Sequence, residues 1–572
     1  MTRTRRHVGV SAALTVAAAV AIATVSALTP DPPPRAALRL QPFARALSTA
    51  GAANPPSTQT CRRRYHKDCY DAAQLHTAYN LNGLLKAGYD GHGRTIAIVD
   101  EYGSPTIGRD LAAFDRAMHL PTTSLKVIQP AGRVPPYRPI GGRPGWAVET
   151  SLDVEWAHAM APRAALLLVE VPTPKGQDGV AQVVAAERYV IDHHLADVIS
   201  QSFGASELSV PRQEVMQLRA TYLDARRNAV TILAATGDQG ATQYAPNGNY
   251  YRSAVSSWPA TDPLVTAVGG TRLQLDRAGH RTHADMAWND TDRTRPPAPA
   301  ATGGGRSVYF TRPSFQNIAR RVTGTMRGVP DVALNAANSS SVLVHVSFPG
   351  IHPGWVPVGG TSEATPLLAG IIAIADQYAG ADLGLINPAL YTIYARHSRA
   401  LTDVVRGDNT VTFRQGATNY TVTGFHARRG YDLVSGVGTL DAGRFVPALA
   451  ATAPYTRTLT FPYNGPCSAT VTSPESSSTT LAACPSADAV TVSPSDRYVT
   501  VTVEDNTGSA VPVSWSAAAA GPTSATVVCG SRKDMKVRQG RFTVAPTIPA
   551  GNAACPLPPT GGVIVVRLSN HA

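Results

Sequence analysis

The residues best suited to chemistry begin at Gly359-Gly360-Thr361-Ser362-Glu363-Ala364-Thr365-Pro366, which runs into the apolar stretch 367–375. Small residues ahead of a serine, at the mouth of a buried helix, hold its hydroxyl exposed in a tight turn. They also aim the first N–H groups of the helix at an incoming oxyanion. A capping Ser or Thr on an ordinary core helix is the plainer alternative. A nucleophilic serine needs a base, and histidine is the usual one. No HGTHxAG segment follows Asp100 at the end of TIAIVD, however, and His92 falls in a glycine-flanked turn. Where a base-bearing helix is expected, the chain reads WAVETSLDVEW over 146–156.

On a helix Glu149 and Asp153 are four apart and share a face with Trp156 and Met160. Like charges at that spacing cost a few tenths of a kcal/mol, and no Lys or Arg lies on that face to offset them. Beside bulky apolar side chains the pair would share a proton, which splits its pKa values. One of the two can then serve as a general base at acid pH. The alternative is an exposed acidic face, which the tryptophan argues against. A third candidate is Asp238 in AATGDQGA (234–241), directly after the apolar run 230–234. Open α/β folds place their sites at such strand ends. In its acid form Asp238 can donate a hydrogen bond to an oxyanion, whereas the bland reading is a turn.

The elements that must carry these residues follow from periodicity. Segments 95–99, 165–171, 197–200 and 230–234 read as buried parallel strands. Helical patterns lie between them at 182–194 and 211–228. Alternation of this kind means an α/β fold with a largely parallel sheet. After Pro454 the chain turns to Ser, Thr and Val, with strand patterns at 498–503, 512–516, 525–528 and 563–568. That predicts a small disulfide-stapled β-sandwich domain.

At 572 residues, 43% hydrophobic and 16% charged, with 48 Gly and 45 Pro, the chain is neither a coiled coil nor collagen-like. Arg3, Arg5 and Arg6, an apolar stretch over 8–25 and the small residues Val25-Ser26-Ala27 read as an export signal. The alternative, an uncleaved anchor, is disfavoured by the Ala, Ser and Thr in that stretch. The expected organisation is therefore a signal peptide over 1–27, a flexible Pro/Ala-rich lead-in over 28–60, a catalytic domain over 61–453 and the β-rich domain over 454–572. Of the net charge of +12, residues 1–60 carry +5 (six Arg, one Asp), and no basic stripe with interleaved aromatics remains for nucleic acid. Six cysteines in an exported chain suggest disulfides. Cys61 and Cys69 form a local pair, and Cys467–Cys484 with Cys529–Cys555 is the simplest arrangement for the rest. LPPTG at 557–561 lacks the apolar run and basic tail that wall anchoring needs.

In this combination the sequence resembles the sedolisins, the serine-carboxyl peptidases, over about 70–450. The matching motifs run in family order: YDAAQLHTAYNL, TIAIVDEYGSPTI, the Glu149/Asp153 pair, SQSFG at 200–204 and GDQGA at Asp238. VTAVGGT (265–271), GGGRSVYFTRPSFQ (303–316), RGVPDVALNA (327–336) and GGTSEATP follow. The resemblance implies a subtilisin-like fold and acid-acting peptide hydrolysis, with protein or peptide substrates, and the export signal makes the expected enzyme a secreted one. Ser362 would be nucleophile, Glu149 general base and then acid, Asp153 the carboxyl that orients it, and Asp238 the oxyanion donor. It also implies one structural Ca2+, held by carboxylates of Asp403 and Asp432 and carbonyls of Val404, Arg428 and Gly430, hard oxygen ligands that suit calcium. Arg428 departs from the glycine usual there. The lead-in is far shorter than the family's long prodomain. A monomer with no nucleic-acid partner and no stable membrane insertion after signal cleavage is expected. Two rival readings remain: a peptidase scaffold kept for binding, and a conventional Ser-His-Asp hydrolase with a neutral optimum.

Overall fold

The computed structural model describes residues 40–43, 45–46, 51–173, 179–291 and 296–452, together with strand segments between Arg457 and Ser569. The proposed signal peptide lies outside them. At the centre is an eight-stranded sheet. Its middle strand is Thr95–Glu101, flanked in parallel by Ala165–Val171 and Val198–Gln201. Leu125–Ile128 closes one side. On the other side Thr231–Ala235, Thr266–Arg272 and Val332–Asn335 follow, all parallel. Among the described strands of this sheet only the short Met286–Ala287 is antiparallel. The four strands expected from their apolar runs are thus present and parallel, because continuous Val/Ile/Leu runs bury both faces. The helical stretch expected over 211–228 is divided at Arg219 into Arg212–Leu218 and Ala220–Arg227.

Two helices dominate one face. Arg143–Met160 starts with a proline in its first turn, and every residue from Trp146 to Met160 is buried. Thr361–Ala379 is buried almost throughout and ends at Gly380, which takes the left-handed conformation at φ 67°. Helices buried on all sides in this way lie inside a large core. These two cross closely at Gly370, where a Cβ would stand 2.5 Å from the Met160 Cβ.

A second, four-stranded sheet joins Asp68–Tyr70, Ser340–Val346, Gly354–Gly359 and Arg45–Ala46. The pairing of Arg45–Ala46, and that of Gln41–Pro42 with Phe203–Ser206, corrects the flexible lead-in expected from composition. Main-chain pairing needs no apolar alternation, so composition could not reveal it. Cys61 and Cys69 are disulfide-bonded, with Cα atoms 5.9 Å apart. Between Arg457 and Ser569 the nine described strands form antiparallel sheets of four and five, and they include all four segments read as strands. The pairing of Cys467, Cys484, Cys529 and Cys555 lies outside the described residues.

Candidate active site

Ser362 is the second residue of the helix Thr361–Ala379, which begins at Gly360. Gly360 has φ 134°, a conformation that favours glycine. A Cβ there would also collide with the Phe43 carbonyl oxygen and stand 2.7 Å from Asp238 Oδ2. Pro366 lies within the helix and has no N–H to offer the carbonyl four residues back. That carbonyl belongs to Ser362, and it accepts from the Ser202 hydroxyl at 3.4 Å instead.

Ser202 ties the two halves of the site together. It lies between the strands Val198–Gln201 and Phe203–Ser206. Its hydroxyl also donates to Asp153 Oδ1 at 2.9 Å, and its carbonyl accepts the Ser362 hydroxyl at 3.2 Å. Asp153 and Glu149 are both fully buried on the facing helix, one turn apart. Burial raises the Asp153 pKa well above the usual carboxylate range, Asp100 and then Glu149 raise it further, and only the Ser202 bond opposes. The shared helical face inferred from the i,i+4 spacing is therefore a buried acid pair.

Asp238 follows Gly237, whose φ is 102°. Its Oδ1 accepts both the main-chain N–H of Thr361 at 2.8 Å and the Thr361 hydroxyl at 2.9 Å. The same hydroxyl is reached by the Gly237 N–H at 3.1 Å. Asp238 is thereby clamped to the residue before Ser362, with Oδ2 on the Gly360 side. Four candidates spread over more than two hundred residues of sequence thus meet around one helix N-terminus.

Sequence reasoning missed three contributors. Ser202 and Thr361 are small hydroxyl residues whose roles depend on distant partners. Asp100 was legible as the acid ending the first central strand, but its nearness to Asp153 was not. It is fully buried and pushed up to about 7 by desolvation, with Glu170 and Glu101 adding and a bond from Thr150 opposing. The folded chain therefore holds a proton on Asp100 between about pH 4 and about pH 7 that the unfolded chain has released. Stability from this group is complete at the acid end and falls as pH rises through that window, by up to about 4 kcal/mol. Asp100→Asn is expected to flatten the decline, read from urea midpoints at several pH values across it. An equally steep decline in the variant would remove Asp100 as its source.

Among the described residues no imidazole is hydrogen-bonded to Ser362. The buried His76 and His158 bond to the carbonyls of Ala159 and Pro121, and His345 pairs with Asp110.

The five residues expected to hold a cation also come together. The Gly430 N–H donates to Asp403 Oδ2 at 2.7 Å, and the Arg428 N–H to Asp432 Oδ2 at 2.9 Å. Ser435 bridges Asp432 and the Val404 carbonyl. Burial raises the Asp432 pKa, opposed by its main-chain donors. Gly430 has φ 83°, whereas Arg428 is not among the residues with positive φ. Its exposed side chain and ordinary backbone are compatible with the departure from glycine. Among the described residues no group of three or more His, Cys, Asp or Glu is placed to hold a metal. A cation here would rest on two carboxylates and carbonyls, a donor set that fits a hard ion.

Residues 145–417 match the model of the Subtilase family, which agrees with the parallel sheet and the serine at the helix N-terminus. Kumamolisin of Bacillus sp. (strain MN-32) is 30% identical over 388 residues, covering 66% of this chain and 64% of that protein. Sedolisin of Pseudomonas sp. (strain 101) is 26% identical over 405 residues, 70% of this chain and 61% of that one. A solved structure of Pseudomonas sedolisin, a serine-carboxyl proteinase complexed with two molecules of pseudo-iodotyrostatin, has a TM-score of 0.58 at 24% identity. It covers 67% of this chain and 98% of that one, and shares the fold. Over these lengths the chain is similar to the sedolisins, and it shares their fold. It spans less than two thirds of the length of kumamolisin and of sedolisin.

Proposed function

We propose that this chain is a secreted, acid-acting serine-carboxyl peptidase that hydrolyses peptide bonds through an acyl-enzyme on Ser362. The observation that carries the reading is the Ser202 bridge, which binds the buried acid pair to the nucleophile's own main chain with no histidine between them. In this mechanism Glu149 takes the Ser362 proton as the hydroxyl attacks the substrate carbonyl, then returns it to the departing amine. Asp153, kept protonated by burial, orients Glu149, and Asp100 supports Asp153. Protonated Asp238, clamped through Oδ1, donates from Oδ2 to the oxyanion alongside main-chain N–H groups of the helix. Such donors act strongly because they are fixed before charge develops. Among the described residues no helix is long and apolar enough to cross a membrane, which is compatible with the export expected from the N-terminal pattern.

The test is cleavage of a denatured protein scanned from about pH 3 to about pH 8, a range bracketing carboxylate and imidazole bases. Activity is expected on the acid side alone. A maximum near neutrality that vanishes on replacing a histidine would sink the carboxyl mechanism.

A single calcium between Asp403 and Asp432, completed by the carbonyls of Val404, Arg428 and Gly430, is part of this proposal. Its role would be to neutralise two carboxylates and pin the loop 403–408 to 428–435. A site binding the folded chain alone adds about 2.7 kcal/mol at a hundredfold excess over its dissociation constant. Chelation is therefore expected to lower the melting temperature, and Asp432→Ala to abolish that response. A melting curve indifferent to chelator and to added calcium would remove the site.

A further inference from the structure

Consecutive residues of the nucleophile's helix are tied to different strands of the parallel sheet. Thr361 is held by Asp238, which follows the strand Thr231–Ala235. The Ser362 carbonyl is held by Ser202, which follows Val198–Gln201. A third tie comes at Glu363, whose Oε1 accepts from Asn335 Nδ2 at 2.5 Å. Asn335 is the last residue of the strand Val332–Asn335.

Asn335 is fully buried, and its amide is held on every side. Nδ2 also donates to the Ser340 carbonyl at 2.5 Å. Oδ1 accepts the Leu273 N–H at 3.1 Å and the Ser340 hydroxyl at 2.7 Å. Both hydrogens and both lone pairs of the amide are thus in use. The main-chain N–H of Asn335 donates to the Tyr79 hydroxyl at 2.7 Å. An amide fixed in this way offers Glu363 its donor at one place only.

The stability of the core gives no reason for an acid at 363. Glu363 is fully buried, and residues 364–376 after it are buried as well. Its Oε2 has no hydrogen-bond partner among the described residues, and an unpaired buried oxygen costs stability. A charged glutamate would gain from the helix N-terminus. Burial, however, raises the Glu363 pKa well above the usual carboxylate range, against the bond from Asn335 and with Asp238 adding. At acid pH the side chain is therefore a neutral carboxyl, and its bond from Asn335 fastens the turn that carries Ser362.

We propose that Glu363 is a positioning residue: through Asn335 it fixes the first turn of the helix and so places the Ser362 hydroxyl against Glu149 and Asp238. The inference rests on the peptidase reading above. With the ties at Thr361 and Ser362 alone the turn can still pivot, and the third tie stops it. A misplacement of about 1 Å at the attacking atom can cost about a hundredfold in rate. The effect falls on the attack and not on substrate binding, so it is read in kcat.

The experiment measures kcat, KM and melting temperature of the full chain, with a denatured protein as substrate at about pH 4, within the range of a carboxylate base. Glu363→Met keeps the volume and removes the acceptor. It is expected to lower kcat at least about tenfold, with KM and melting temperature nearly unchanged. Glu363→Gln, which offers Asn335 the same carbonyl oxygen, should restore most of the lost turnover. Glu363→Asp, an acid one methylene short of Asn335, should behave like Glu363→Met and carries the test where the methionine chain does not fold. Full kcat in Glu363→Met, or in Glu363→Asp where that chain is the one that folds, overturns the proposal. An equal loss in Glu363→Gln overturns it too, because the bond would then not be what matters. Loss of the fold in both Glu363→Met and Glu363→Asp would assign Glu363 to stability and overturn it likewise. All three outcomes leave the peptidase reading standing while the parent chain still cuts. A parent chain that cuts nothing overturns that reading and the proposal with it.

Discussion

Ser362→Ala and Glu149→Gln are each expected to lower turnover of a denatured protein at acid pH by about 10⁴- to 10⁶-fold, with the double variant losing little more. The two groups act in one event, the transfer of the serine proton as the carbonyl is attacked, so removing either removes the event. The serine-to-alanine change keeps the helix and the Asp238 clamp. The glutamate-to-glutamine change keeps size and burial but leaves a side chain that cannot take a proton. The loss should therefore fall on kcat, with KM and melting temperature nearly unchanged. Asp238→Asn is expected to cost less, about 10²- to 10³-fold, the usual effect of one oxyanion donor. Substantial acid activity in Glu149→Gln would mean that another group takes the proton, and the assignment of the base would fail.

The largest expected effect on stability lies elsewhere, in RGVPD. Arg327 and Asp331 are both fully buried. The guanidinium grips the carboxylate with two bonds, Nη1 to Oδ1 at 2.6 Å and Nη2 to Oδ2 at 2.5 Å. Asp331 also accepts the Tyr391 hydroxyl at 2.9 Å and the Ala267 N–H at 2.8 Å. These bonds fasten the strands Thr266–Arg272 and Val332–Asn335 to the helix Asn387–Ala395. Arg327→Met leaves a carboxylate in the core without its cation, at an expected cost of about 3–5 kcal/mol. Adding Asp331→Leu should recover part of that loss, because the uncompensated charge is removed while Tyr391 and Ala267 still lack an acceptor. Urea unfolding of the two variants distinguishes the cases. A single variant within about 1 kcal/mol of the parent chain would show that the pair is replaceable without penalty.

The same segment shows the reach of sequence reading. RGVPDVALNA was legible as a family motif, though not as a strand. That its Arg and Asp neutralise one another inside the core was not, since i,i+4 charges mark a solvated helix face more often than a buried bidentate pair. The departure at Arg428 is similar, because whether an arginine can replace glycine depends on a backbone angle and not on residue type.

What the sequence alone determined was everything governed by near neighbours. Apolar runs marked the central strands, the i,i+4 spacing put Glu149 and Asp153 on one helical face, and small residues marked the turns at Asp238 and Ser362. Tertiary structure alone decided which of these meet and through what. Ser202 lies 160 residues from Ser362, Asp238 lies 123 from Thr361, and Asp100 reaches Asp153 only because their strand and helix pack together. The lead-in was legible as Pro- and Ala-rich chain but not as strands paired to two sheets. Its pairing is carried by main-chain groups common to every residue type, and only the folded sheet edges choose which segment they receive.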